Sequence, residues 1–200
     1  MVLGASGRCS VTLGIFVEGP SDKTTIPILI RKLGYHAGLH PRVVRQGDML
    51  NVREMSQQIG ALLRLQSGIK RILVFKDSEG VHPGETLRSS QPIAAELNRQ
   101  TGGVPVDYIV VDHSLEGWLA CDVAALRAVL GQRARIRIIG NPEDNPRPAR
   151  LLAGIFSANG KQFKKTVDNP KIAGHVTPRN IAQKSPTFRN LASILGLAVS

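Results

Sequence analysis

A set of acidic residues in this chain lies at or soon after short apolar runs rich in β-branched side chains. The acids are Glu18, Asp77, Glu79 and Glu116. Such runs are too short for helices and are typical of buried parallel strands, whose carboxyl ends meet at one edge of a sheet. Carboxylates crowded at that edge repel each other unless a divalent cation or raised pKa values relieve the repulsion. The sequence therefore predicts an acidic metal site.

Asp77 and Glu79 are separated by a single residue. Both carboxylates can supply oxygen ligands to a hard cation such as Mg²⁺ or Mn²⁺, whose remaining positions are then filled by water and by phosphate oxygens. The structural alternative is a pair of solvated acids in a surface loop.

The other candidates have helix-start alternatives of differing strength. Glu18 ends the first apolar run and is followed by Gly19, which lets the backbone turn tightly or approach a ligand. Asp22 falls in the first turn of a predicted helix, where the dipole favours an acid in any protein. Glu116 falls in a similar first turn, which Ser114 can cap. Glu18 alone has no helix-start explanation.

Strands and helices are predicted to alternate along the first 130 residues. Strands are expected at 11–17, 42–45, 72–75 and 106–111, and helices from Ser21 to Gly34, from 55 to 68, from 92 to 99 and from 123 to 130. This order predicts an α/β fold with a mostly parallel sheet and helices on both faces.

The pattern changes after Leu130. Residues 133–139 alternate basic and apolar side chains like an exposed strand, and residues 141–148 are rich in Asn and Pro, which indicates a loop. Thr177 before Pro178 and Ser185 before Pro186 each predict a short helix. We therefore expect an α/β body at 1–130 and a small basic helical extension at 131–200, packed on the body.

Positive charge is concentrated in that extension. The chain carries a formal charge of +11, and residues 131–200 hold 12 Lys and Arg against three acids. A basic region beside an acidic cluster suggests a polyanion that one part holds and the other part acts on. We expect Lys161, Lys164 and Lys165, with the arginines of the extension, to bind a nucleic-acid backbone. The alternative is a charge that only keeps the protein soluble.

Two segments carry a resemblance to a known domain. Val17 to Asp22 on the first strand and Val74 to Glu79 on the third strand resemble the TOPRIM domain of topoisomerases, primases and OLD-type nucleases. Glu116 to Asp122 and Ser185 to Phe188 are similar to a bacterial family of small, uncharacterised TOPRIM-like proteins. The resemblance implies a TOPRIM-like, Rossmann-like sheet.

The resemblance also implies roles for the acids. Glu18 would act as general acid or base, and Asp77 with Glu79 would bind Mg²⁺. Asp22 matches an additional metal-binding acid of OLD-type members. TOPRIM domains usually carry Asp-x-Asp where this chain has Asp77-Ser78-Glu79, and the longer side chain is expected to shift the metal.

Two branches of that superfamily are excluded by what they require. A topoisomerase needs a further tyrosine-bearing domain, and a bacterial primase needs a zinc module that the lone residues Cys9 and Cys121 cannot form. The OLD-nuclease-like branch remains. The expected function is thus Mg²⁺-dependent cleavage of nucleic acid, with DNA as the expected substrate and phage defence as the expected context.

Two alternatives stay open. One is a non-catalytic TOPRIM-like subunit that binds nucleic acid and works with an ATPase, since the chain has no Walker A sequence of its own. The other is a phosphoacceptor domain with Asp77 as the acceptor. It ranks last, because such domains carry adjacent acids on the first strand and Glu18 is single there.

The chain is expected to be cytoplasmic. No apolar run approaches the roughly 18 residues that a membrane helix needs. Met1 to Ser10 lacks the apolar stretch of a signal peptide. Cys9 and Cys121 are read as two reduced residues, with neither a disulfide nor a zinc site.

Overall fold

A computed structural model describes residues 11–45 and 48–199 of the chain. The expectations about Cys9 and about Met1 to Ser10 concern residues outside this part.

Within the described residues the sheet has four strands, all parallel, in the order β2-β1-β3-β4. The strands are β1 (Thr12–Val17), β2 (Leu39–Val43), β3 (Ile69–Asp77) and β4 (Val106–Val111). Because neighbouring strands are parallel, their carboxyl ends lie at one edge. The second strand is earlier than the expected 42–45, whereas the other three lie where the apolar runs predict them.

Helices connect the strands and continue beyond them. In the described residues they are α1 (Pro20–Lys32), α2 (Val52–Leu65), α3 (Pro83–Gln100), α4 (Leu115–Ala120), α5 (Val123–Leu130), α6 (Pro148–Ser157), α7 (Lys165–His175), α8 (Pro178–Lys184) and α9 (Pro186–Ile194). Single 3₁₀ turns occur at Asp48–Leu50 and Pro142–Asp144. No helix in this part of the chain is long and apolar enough to cross a bilayer.

Helices cover both faces of the sheet, as expected. Alternate residues of β1 point to opposite faces: Leu13 and Ile15 belong to a core with α1, α4 and the carboxyl-terminal helices, while Phe16 belongs to a second core with α2 and α3. All three side chains are fully buried.

The carboxyl-terminal helices share the larger core with the sheet. Ile172 of α7 and Phe188 of α9 are fully buried there, and α7 packs along α1. Phe188 also contacts Trp118 of α4 edge-on, with ring centroids 5.1 Å apart. The helix-start signals at Thr177 and Ser185 are confirmed by α8 and α9, and the Ser185 hydroxyl accepts from the Phe188 N–H.

Two sequence expectations fail in this half of the chain. Residues 133–139 do not form a strand, because no strand in the described part of the chain pairs with them. The helices α6 and α7 have no counterpart among the predicted elements. Pro170 inside α7 interrupts the pattern that would have indicated a helix, whereas the apolar residues of α6 do recur at helical spacing.

The helix expected at 92–99 is longer in the structure. It starts at Pro83, where His82 precedes the first turn and its ring nitrogen accepts from the Gly84 N–H at 3.1 Å. Pro92, expected at the helix start, lies inside α3.

Candidate functional site

Glu18 and Asp77 lie at the same edge of the sheet. Phe16 pairs with Val74 in the parallel register, so Glu18 comes level with Lys76, one residue before Asp77. Four acids gather here from three connections: Glu18, Asp22 of α1, Asp77 and Glu116 of α4. We call these four residues the acidic edge.

Glu18 is paired with a lysine of the neighbouring strand. Lys76 Nζ lies 2.7 Å from Glu18 Oε1 and 3.5 Å from Glu79 Oε2, and it donates to the Asp77 carbonyl at 3.0 Å. The Glu18 and Lys76 side chains are 11% and 9% exposed. The contact at Oε1 brings opposite charges together without good hydrogen-bond geometry, so we treat it as an ion pair.

Burial and pairing act against each other in this ion pair. Burial raises the pKa of Glu18 more than Lys76 lowers it, so the net direction is up. Burial lowers the pKa of Lys76, but the contacts with Glu18, Glu79 and Asp77 outweigh it and raise that pKa. The lysine therefore stays protonated while the glutamate is closer to accepting a proton than a free one.

Asp22 and Asp77 form no ion pair with any described residue. Burial raises the pKa of Asp22 to about 6, with further increases from the charges of Glu116 and Glu18. Burial also raises the pKa of Asp77 well above its usual value, and the charges of Asp22, Glu18 and Glu116 add to the increase. The charge of Lys165 lowers the pKa of Asp22 and that of Lys76 lowers the pKa of Asp77, but burial and like charge outweigh both.

Gly19 gives Asp22 its space. The backbone of Gly19 is extended, with φ −140°, so any residue could adopt it. A Cβ atom there would lie 3.3 Å from Asp22 Oδ2, which is tight, and the Gly19 N–H donates to the Asp22 carboxylate. The glycine is thus explained by proximity to Asp22 and not by a turn.

Glu116 is held by hydrogen bonds on every side. Its carboxylate is 2% exposed and accepts from Ser114 Oγ at 2.7 Å and from Asn169 Nδ2 at 2.8 Å. Lys165 Nζ lies 3.1 Å from the same oxygen as Asn169. Burial alone would raise the pKa of Glu116, but these contacts outweigh it and lower the pKa. Glu116 is therefore a fixed negative charge.

Helix α7 is tied to the acidic edge through α1. Asn169 Nδ2 donates to Ser21 Oγ at 2.9 Å as well as to Glu116, and Ser21 Oγ donates to the Lys165 carbonyl at 3.1 Å. Asn169 is fully buried. The sequence indicated neither residue, because Asn169 lies in a helix that was not predicted and Ser21 reads as a helix start.

Glu79 shares Lys76 with Glu18 but is far more exposed than the acids of the acidic edge. It has φ 53°, and its side chain is 48% exposed beside Lys76. The residue between the pair, Ser78, is buried: its hydroxyl accepts from the His113 N–H at 2.8 Å and donates to Asp112 at 3.2 Å. Ser78 thus joins the turns after β3 and β4, while Asp77 and Glu79 face different neighbours.

The three lysines expected at a nucleic-acid backbone take different positions. Lys161 Nζ donates to the carbonyls of Val129 and Leu130 at the end of α5. Lys165 pairs with Glu116. Lys164 is exposed at the N-terminal boundary of α7. Two of the three ammonium groups therefore have partners inside the protein.

The acidic edge suits a divalent cation in chemistry and in charge. Its donors are carboxylate oxygens, which Mg²⁺ and Mn²⁺ prefer. Lys76 and Lys165 contact two of the four acids, which leaves Asp22 and Asp77 for a cation. Within residues 11–45 and 48–199, however, no three His, Cys, Asp or Glu side chains converge as a ready metal-binding group.

A cavity of about 580 Å³ opens at the same edge, beyond β4. It is lined among others by Asp112, His113, Glu143 and Thr187. Glu143 is 1% exposed. It accepts from Ser185 Oγ at 2.6 Å, from Trp118 Nε1 at 3.3 Å and from Thr187 Oγ1. Burial raises its pKa although these donors lower it. Sequence reasoning missed this acid, which joins α4 to the start of α9.

The family model described as Domain of unknown function (DUF4276) matches residues 17–196, which include the whole acidic edge. The chain belongs to the DUF4276 family. Comparisons of this DUF4276 chain with the curated proteins and with the solved structures found no match. The functional argument therefore rests on the site itself.

Proposed function

We propose that this DUF4276 protein is a TOPRIM-like, metal-dependent phosphodiesterase that cleaves nucleic acid. Its expected substrate is DNA, and its expected location is the cytoplasm. The observation that carries the proposal is the crowding of Asp22 and Asp77 beside two lysine-paired acids. Such crowding costs folding free energy, which a bound divalent cation would recover.

The acids at this edge of the sheet would have different roles in cleavage. Asp77 and Asp22 would hold the cation, because they have no lysine contact of their own, and Glu79 would be the further ligand that the TOPRIM resemblance implies. A divalent cation at this place would supply charge neutralisation for a phosphate and activation of a water molecule. Glu116 stays ionised through its hydrogen bonds and keeps Lys165 beside the site.

Glu18 is the group best suited to handle a proton. Burial raises its pKa above the usual value and so brings it closer to neutral pH, where a general acid or base is most effective. Lys76 holds the charged form in place, so the carboxylate has a fixed position and a ready counter-charge. Glu18 would thus act as the general acid or base of the cleavage.

A second candidate is a non-catalytic nucleic-acid-binding subunit that works with an ATPase. It is favoured by the close contact of Lys76 with Glu18 and by the lack of three converging acids in the described residues. A role in phage defence is the context that the TOPRIM resemblance suggests for either candidate.

The test is cleavage of supercoiled plasmid and of labelled single strands by the purified protein, with Mg²⁺, with Mn²⁺ and with chelator. We expect cleavage that requires the cation and that falls at least about a hundredfold in Asp77→Asn and in Glu18→Gln. The matched control is Glu96→Gln, because Glu96 is an acid at the far end of α3 that pairs with Arg99.

The outcomes separate the candidates. Cleavage in chelator, or cleavage that survives Asp77→Asn, would contradict the phosphodiesterase. Nucleic-acid binding without cleavage under any cation would favour the binding subunit.

A further inference from the structure

Residues 134–139 belong to no helix or strand and present arginines to solvent. Ile136 and Ile138 are half-buried and pack against the larger core, whereas Arg135 and Arg137 are exposed. The alternation of basic and apolar residues therefore sorts side chains by face, as in a strand, although no strand pairs with it.

Asn159 fixes this segment to the end of α6. Its side chain accepts from the Arg135 N–H at 2.8 Å and donates to the Arg135 carbonyl at 3.0 Å. The same amide also donates to the Ile155 carbonyl at 2.8 Å. One side chain thus supplies the pair of hydrogen bonds that a neighbouring strand would supply, so the backbone that carries Arg135 is held without using its guanidinium group.

The surface beside the segment leads to the turns that follow β3 and β4. A depression of about 400 Å³ is lined by Arg135, Arg137 and Arg150. Arg150 also lines a second depression, of about 300 Å³, together with Arg147 and Glu79. The two depressions adjoin at Arg150, and the second one reaches the turn that follows Asp77. We call Arg135, Arg137, Arg147 and Arg150 the arginine track.

The track has no acidic partners among the described residues. None of its four side chains forms an ion pair there, and three of them, at 135, 137 and 150, project from one continuous surface. By contrast, the exposed Arg99 of α3 pairs with Glu96. An arginine fork binds phosphate oxygens bidentately, and a row of them suits a polymer with repeated phosphates.

We propose that the arginine track binds the phosphodiester backbone of the nucleic acid and directs it toward the acidic edge. The inference rests on the proposed function, since it concerns how that site receives its substrate. It replaces Lys161 and Lys165 as the main backbone contacts, because their ammonium groups are used inside the protein. An acidic protein surface is the competing partner.

The test is the fluorescence anisotropy of labelled DNA and RNA, in chelator so that no cleavage occurs, over a series of salt concentrations. The variant is Arg135→Ala with Arg137→Ala. The matched control is Arg53→Ala with Arg64→Ala, which removes two exposed arginines from α2 on the other face of the sheet. Circular dichroism checks that both double variants are folded.

We expect the track variant to bind at least about tenfold more weakly, and the slope of log K against log salt to fall by about 2 for duplex DNA, one unit for each lost phosphate contact. The control should keep the wild-type affinity and slope. Equal weakening in both double variants, or an unchanged track variant, would overturn the proposal.

Three further outcomes keep this proposal separate from the proposed function. A wild-type protein that binds neither DNA nor RNA at low salt would overturn the track and leave an acidic protein as its partner. Track-dependent binding without any cleavage would retain the track and contradict the phosphodiesterase. Equal cleavage of long DNA by the wild type and the track variant would support the phosphodiesterase and overturn the arginine track.

Discussion

Lys76 Nζ lies 2.7 Å from Glu18 Oε1, across two neighbouring parallel strands. Lys76, the residue immediately before Asp77 on β3, therefore neutralises Glu18 at the end of the neighbouring strand β1. Both side chains are about nine-tenths buried, so neither can lose its partner and simply turn to water. This relationship makes the stability of the sheet edge depend on its charges.

The Lys76→Met variant tests the ion pair. It leaves Glu18 buried without its cation, which should cost about 3 kcal/mol of unfolding free energy at pH 8. The pKa of Glu18 is already raised in the folded protein and would rise further. An acid with a raised folded pKa causes no penalty below its unfolded pKa and a growing one above it, so the loss should be smaller at pH 4. Urea denaturation measures both values.

The control for this variant is the double change Lys76→Met with Glu18→Gln. Removing both charges should recover most of the lost stability, because a buried pair replaced by neutral groups is often close to neutral. Equal losses in the single and the double variant would mean that Lys76 matters for packing and not for charge.

Asp22→Asn should stabilise the protein when no cation is present. The folded pKa of Asp22 is about 6 against an unfolded value near 3.9. The penalty is therefore absent below about pH 4, grows up to about pH 6 and is complete above it. Removing the charge should raise the unfolding free energy at pH 7.5 by up to about 3 kcal/mol, with no gain at pH 3.5.

Asp48→Asn is the matched control. It is the same substitution, but Asp48 lies in a 3₁₀ turn away from the acidic edge. Thermal unfolding in chelator at the two pH values is the measurement. A destabilised Asp22→Asn at pH 7.5 would show that repulsion at the acidic edge is not the dominant force on Asp22.

Asn169→Asp tests the link between α7 and the acidic edge. It places a second carboxylate at the atom that now donates to Glu116 at 2.8 Å, inside a fully buried position. The lost donor and the new repulsion should cost at least about 3 kcal/mol at pH 8. The cost should shrink toward pH 4, where the new acid is protonated.

Asn51→Asp is the matched control, because it makes the same substitution at a helix N-cap, where an acid is favourable. Asn51 caps α2, accepting from the Arg53 and Glu54 N–H groups, and Asp is an equally good N-cap. Its stability should stay near wild type. If Asn169→Asp also behaves like wild type, α7 does not depend on the bonds that Asn169 makes.

The sequence predicted the sheet well because its signals are local. A β-branched run such as Ile72 to Phe75 indicates a buried strand on its own, and parallel order then places Glu18 and Asp77 at one edge. The sequence could not indicate which lysine side chain lies beside which acid. Lys76 reads as an ordinary strand residue until the register places it beside Glu18.

The misses arise from tertiary contacts. Residues 133–139 have the alternation of a strand, but Asn159 supplies the hydrogen bonds that a neighbouring strand would have supplied. Asn169 lies in α7, where Pro170 obscures the helical pattern. Glu143 was unremarkable in an Asn- and Pro-rich segment, because its burial depends on Trp118 and Ser185 from distant parts of the chain.

The most direct test of the central claim is the anomalous scattering of a crystal of the protein grown or soaked with Mn²⁺. We expect a single strong peak at the acidic edge, with Asp77 and Asp22 oxygens within about 2.2 Å of the ion, and its loss in crystals of Asp77→Asn. A well-ordered acidic edge without any Mn²⁺ peak, or with the ion held elsewhere, would contradict the account.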